Sequence, residues 1–150
     1  MTSLDTIRFR VMGIMSQMEI FSDTNLQPLG KIKIGKIRKN ATRLHGVCRY
    51  NRGVDKKRGD LTPADVKEVC LHPESLNDEW VRYAEFLLFH EFLHALGYSG
   101  HNREFRQLEA QWPDKDAKGM GLEFTKYLRG LNAKFAWKCP NCDWQTKRSV

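Results

Sequence analysis

Phe86-Leu87-Leu88-Phe89-His90-Glu91-Phe92-Leu93-His94-Ala95-Leu96 is apolar around almost its whole circumference when wound into a helix, and the exceptions are two histidines and a glutamate. A helix of that kind belongs at the centre of a protein, not on its surface. The pattern predicts one long helix from Asn77 to Leu96, with Asn77 or Asp78 as N-cap and Gly97 as the residue just past its end. At about 100° per residue, His90 and His94 fall about 40° and one turn apart, so both imidazoles can reach one ion. Glu91 lies about 60° from His94, beside such an ion but not on it, where it can accept a proton from water. Left bare in an apolar helix, these three groups carry a desolvation cost of roughly several kcal/mol. Random placement of the chain's histidines and glutamates produces H-E-x-x-H in about one chain in a hundred. Metal binding is therefore the stronger reading.

A catalytic zinc takes three protein ligands and keeps one position open. His101 follows seven residues after His94, with Gly97 and Gly100 bracketing the link, so the chain can leave the helix in a left-handed turn and return an imidazole to the ion. The link is one residue longer than in H-E-x-x-H-x-x-G-x-x-H. Glu104 and Glu109, on the next predicted helix, are the alternative third ligands in a His-His-Glu scheme. Tyr98, beside the turn, is a candidate oxyanion donor, with a packing role as the alternative.

Around this helix the chain reads as one α+β domain, with a small three-stranded sheet packed on helices. At 150 residues it is long enough for one core. Leu4, Ile7, Val11, Ile14, Met15, Met18 and Phe21 recur at spacings of three and four, predicting a helix over 3–22 with Ser3 as N-cap. Lys-Ile-Lys-Ile-Gly-Lys-Ile-Arg from Lys31 alternates like a strand, with a bulge or bend expected at Gly35. Further strands are expected from Leu44 to Asn51 and from Val66 to His72, and further helices from Asn102 to about Gln111 and from about Lys118 to Leu131. His45 and His72, at strand-like positions, are expected to be hydrogen-bonded structural residues, and Cys48 and Cys70 buried thiols that act as small hydrophobes.

Between Lys31 and Arg58 stand eleven Lys or Arg against one acid, Asp55, an excess larger than the formal +7 of the whole chain. That concentration points to a polyanion partner, with Arg38, Lys39, Arg43, Arg49 and Arg52 as candidate phosphate contacts. In the tail, Cys139-Pro140-Asn141-Cys142 has the spacing of a metal knuckle, and Trp144 among basic residues suits stacking on single-stranded nucleic acid. The longest apolar runs fall well short of a bilayer span, and Met1–Arg10 lacks the apolar stretch of a secretory signal. An intracellular location is expected, in the cytoplasm or nucleoid of a prokaryote or the nucleus of a eukaryote.

The run His90-Glu91-Phe92-Leu93-His94, then Gly97, then His101-Asn102-Arg103-Glu104-Phe105, resembles the SprT-like metallopeptidases, in which HExxH is followed by a His shortly before an aromatic. The upstream Leu44–Tyr50 strand and the Cys139/Cys142 knuckle also follow that family's order. The resemblance implies a metallopeptidase core over 1–133 and a partial zinc ribbon over 134–150, since only the first of the family's two Cys pairs is present. It implies Zn2+ held by His90, His94 and His101, with Glu91 as catalytic base. It further implies DNA-stimulated proteolysis of proteins crosslinked to DNA, the partners being DNA with single-stranded character and the proteins bound to it, and no membrane. The alternatives are a general zinc peptidase indifferent to DNA and a zinc-stabilised DNA-binding adaptor without turnover. A zinc ribonuclease of the YbeY kind carries Gly where this chain has Glu91, which favours peptide hydrolysis.

Overall fold

A computed structural model describes residues 1–137. It is an α+β arrangement of four helices and a three-stranded sheet. Helix α1 (Leu4–Ser16) starts where the Ser3 hydroxyl accepts the Thr6 N–H, and it buries Ile7, Val11 and Met15, one stripe at helical spacing. It stops at Ser16, six residues before the predicted end. The Ser16 hydroxyl turns back onto the Gly13 carbonyl at 2.7 Å, and Met18 is extended. A short 3-10 turn, Glu19–Phe21, then carries Phe21 into the core in place of the missing helical turn.

Strands β1 (Lys33–Lys36), β2 (Gly46–Tyr50) and β3 (Val66–Leu71) form a sheet in the order β1-β3-β2, β1 parallel and β2 antiparallel to β3. The irregularity expected at Gly35 is not there. Gly35 pairs in register with Cys70, whose Sγ lies 3.4 Å from where a Cβ would stand, so the glycine provides clearance. The register shift falls instead between Arg49 and Tyr50, where the pairing passes from Glu68 to Val66.

Helix α2 (Val81–Ala95) packs against α1, the sheet and a third helix, α3 (Arg103–Glu109). Ala84, Leu88, Phe89, Phe92, Leu93 and Ala95 are fully buried on it, the all-round burial its composition requires. It begins four residues later than expected. Pro73–Leu76 form a 3-10 turn whose N–H at Glu74 is taken by the His72 ring, and Asn77 leaves that turn extended, so Trp80 caps α2. This delay lets Trp80 pack edge-on against Phe124 of helix α4 (Met120–Trp137). The 133/134 position lies inside α4. Among the described residues no helix is long and apolar enough to cross a membrane.

His45 and His72 are hydrogen-bonded as expected. His45 contacts the Tyr83 hydroxyl at 2.6 Å and the Thr42 carbonyl, while His72, fully buried, donates to the Ala41 carbonyl and accepts from Glu74. Cys70 is buried and Cys48 half-buried, and burial first of all pushes the Cys48 thiol up to about 12. Burial also holds both histidines below their ordinary value of 6.5. Below that value the unfolded chain binds protons that the native state refuses, so their contribution is complete above pH 6.5 and declines as the pH falls. The melting temperature of metal-free protein should drop between about pH 7.5 and 5, and drop less in His72→Gln. Equal slopes in the two proteins would remove His72 as a cause.

Candidate functional site

The last two turns of α2 bring His90 and His94 to one face, as a spacing of four requires. Gly97 then takes φ +115, and the Leu61 carbonyl oxygen lies 2.7 Å from where its Cβ would be. Both the backbone conformation and the close approach demand glycine. The chain reverses, Asn102 caps α3 by accepting the Phe105 N–H, and His101 returns over the helix. Its Nε2 lies 3.2 Å from Nε2 of His90 and 3.1 Å from Nε2 of His94. Fully buried Phe105 packs beneath all three rings, with centroids 4.7 to 5.0 Å away.

Hydrogen-bond partners decide which nitrogens carry protons. Nδ1 of His90 lies 2.7 Å from a Glu109 carboxylate oxygen, and Nδ1 of His94 lies 2.7 Å from the Tyr98 carbonyl. Both partners only accept, so both Nδ1 atoms hold hydrogen and each neutral ring turns a bare lone pair at Nε2 toward the common centre. Burial, the main cause in each case, keeps the two rings neutral, lowering His94 to about 4. One hydrogen on His101 Nε2 satisfies one of the two lone pairs facing it. A cation satisfies all three. A tetrahedral zinc with nitrogens at about 2.05 Å spaces them about 3.3 Å apart, close to what is seen. The three histidines fit a metal ion on donor chemistry and on spacing.

Glu109 is not a member of the cluster. It sits behind His90, 2 % exposed at its side chain, and is held by Arg106 at 3.0 Å and Lys118 at 2.7 Å. Burial acts to raise its carboxyl, but hydrogen bonds from Lys118, His90 and Arg106 outweigh it and keep Glu109 far below the usual carboxylate range. Were a metal ion held by the three histidines, Glu109 would be the outer carboxylate behind His90, fixing the ring and making it a better ligand. Glu104 is exposed and lies outside the cluster. Tyr98 contributes its carbonyl to His94 and packs its side chain on the core. The Tyr50 hydroxyl, donating to the His94 carbonyl at 2.9 Å, ties β2 to the same turn. No local pattern announced the Glu109 and Tyr50 contacts, which join residues 19 and 44 apart in sequence.

Glu91 is 5 % exposed and burial pushes its carboxyl up to about 8, a shift that a nearby divalent cation would oppose. Gly46 at the head of β2 allows this approach: a Cβ there would stand 3.2 Å from a Glu91 carboxylate oxygen. Glu91 and His90 open into a groove of about 290 Å³, bounded by the chain leading into β2, by α2 and by α3.

The basic candidates Arg38, Lys39, Arg43, Arg49 and Arg52 are all exposed. Arg49 is paired across the sheet with Glu68 at 3.0 Å, and Arg43 reaches the wall of the groove. Cys139, Cys142 and Trp144 lie outside the described residues.

Fold and geometry together define a small α+β domain with three histidines able to hold a metal ion beside a buried glutamate. No protein-family model, curated protein or solved structure matches the chain.

Proposed function

We propose that this chain is a zinc-dependent endopeptidase of the SprT-like kind, stimulated by DNA and acting on proteins bound or crosslinked to it. The observation that carries the reading is the convergence of three imidazole Nε2 atoms next to a buried carboxyl group that faces an open groove. When bound, zinc supplies a Lewis acid that polarises the scissile carbonyl and lowers the pKa of water. His90, His94 and His101 hold it, and Glu109 and the Tyr98 carbonyl keep two of the rings aimed. Glu91 takes a proton from the attacking water and delivers it to the leaving amine, with no covalent intermediate. Phe105 and the buried face of α2 close the rear of the site to water.

The DNA part of the reading rests on the excess of Lys and Arg in 31–58 and on the exposure of Arg38, Lys39, Arg43 and Arg52. Affinity for single-stranded DNA should fall steeply as salt rises. Charge reversal at Arg38, Lys39 and Arg52 should abolish DNA stimulation of cleavage of a DNA-binding protein while metal content stays unchanged. Cleavage that is indifferent to DNA in the unmodified protein would leave a general zinc peptidase in place of the repair enzyme.

A further inference from the structure

We propose that the groove beside Glu91 is a subsite that takes an acidic side chain of the substrate; this rests on the peptidase reading. The groove has an apolar floor, formed by Phe86 and Leu87, and a rim carrying Arg43, Arg106 and Lys118. It continues, through Phe86, Arg106, Glu109 and Lys118, into a second lobe of about 200 Å³ that adds Lys115.

The charge balance inside these walls is positive. Four cations face the groove and its second lobe, and three carboxylates oppose them. Asp114 already accepts from Nε and Nη2 of Arg82 at 2.7 and 2.8 Å. Glu109 is one charge shared between Arg106 and Lys118. Glu91 also lines the groove, where an ion held by the three histidines would offset its charge. Among the described residues Arg43 has no acidic partner, and Lys115 is bonded only to the Ala110 carbonyl. An anion entering the groove therefore meets Arg43, which has no acidic partner, and the pair Arg106 and Lys118, which share one carboxylate, next to apolar surface that covers the methylenes of a glutamate. The opening is bounded by protein on several sides and leads to the residues that act on the peptide bond, which suits a side chain of the substrate better than a nucleic-acid backbone.

The test uses the zinc-loaded chain and peptides identical except for one Glu, Gln or Lys moved along the positions flanking the cleaved bond, with cleavage sites read by mass spectrometry. At one position Glu should exceed Lys in kcat/KM by about tenfold. Arg43→Glu should cancel or invert that order. Calorimetry on Glu91→Gln should show the same Glu-over-Lys order in binding, independent of turnover. Equal cleavage of Glu and Lys peptides at every position, or an unchanged order in Arg43→Glu, overturns the subsite and leaves the peptidase intact. A change in Arg43→Glu confined to DNA stimulation assigns Arg43 to nucleic acid and also overturns it. Absence of hydrolysis from every peptide overturns the peptidase reading and the subsite together.

Discussion

Glu91→Gln should retain its metal and lose nearly all turnover, by about a thousandfold or more in kcat. General-base catalysis is typically worth about a hundred- to ten-thousandfold, and in the proposed mechanism one carboxylate serves both proton transfers, so the upper part of that range applies. The substitution keeps the volume of a residue that is 5 % exposed and whose Oε2 lies within 3.2 Å of a Cβ position on Gly46, so the packing survives. Removal of a buried carboxyl held up near 8 should not unfold the protein. The test is kcat/KM on a protein substrate beside metal analysis of the same sample. Normal turnover in a metal-replete Glu91→Gln protein would show that another group moves the proton.

His94→Ala should abolish metal binding, with an affinity loss well beyond the roughly 10- to 100-fold typical of an outer partner. His90→Ala and His101→Ala should follow it, because each removes one of three nitrogens that lie within 4.8 Å of one another, His101 standing 3.2 Å from His90 and 3.1 Å from His94. Glu109→Gln belongs to the lesser class: it leaves three nitrogens in place and weakens only the hold on His90, so zinc affinity should fall by about 10- to 100-fold. Glu104→Ala should change nothing, since Glu104 is exposed and outside the cluster. Equilibrium competition with a chelator, run on all five variants, ranks them. Should Glu104→Ala lose metal while His101→Ala keeps it, the third ligand is Glu104 and the His101 geometry is incidental. Metal should also raise the melting temperature of the unmodified protein, rising with the logarithm of free metal beyond saturation, because it binds the folded state in preference to the unfolded chain.

Several features of this molecule are local, and those were legible. The helix carrying His90, Glu91 and His94, the glycine stop at Gly97, the Asn102 start of α3 and the Ser3 cap all follow from spacing and propensity within a few residues. The α+β class followed from the change of hydrophobic period between α1 and the β1 segment. Boundaries were less legible. The late start of α2 follows from the 3-10 turn at Pro73–Leu76 and the extended Asn77, a delay that seats Trp80 on Phe124, and the irregular pairing appeared at Arg49 and Tyr50 rather than at Gly35, which pairs in register with Cys70.

The sequence by itself determined that two imidazoles and a carboxylate would share one buried helix, since a period of 3.6 residues places them there whatever else the chain does. It also supplied His101 and the glycines that let the chain turn. Tertiary packing settled that His101 closes on His90 and His94, that Glu109 stands behind His90 and not among the three converging nitrogens, and that Arg43, Arg106 and Lys118 rim one groove. Those pairings bring together residues from the chain leading into β2, from α2 and α3, and from the chain leading into α4, and they are fixed by how helices and strands pack around a common core, a long-range condition that no short window of sequence contains.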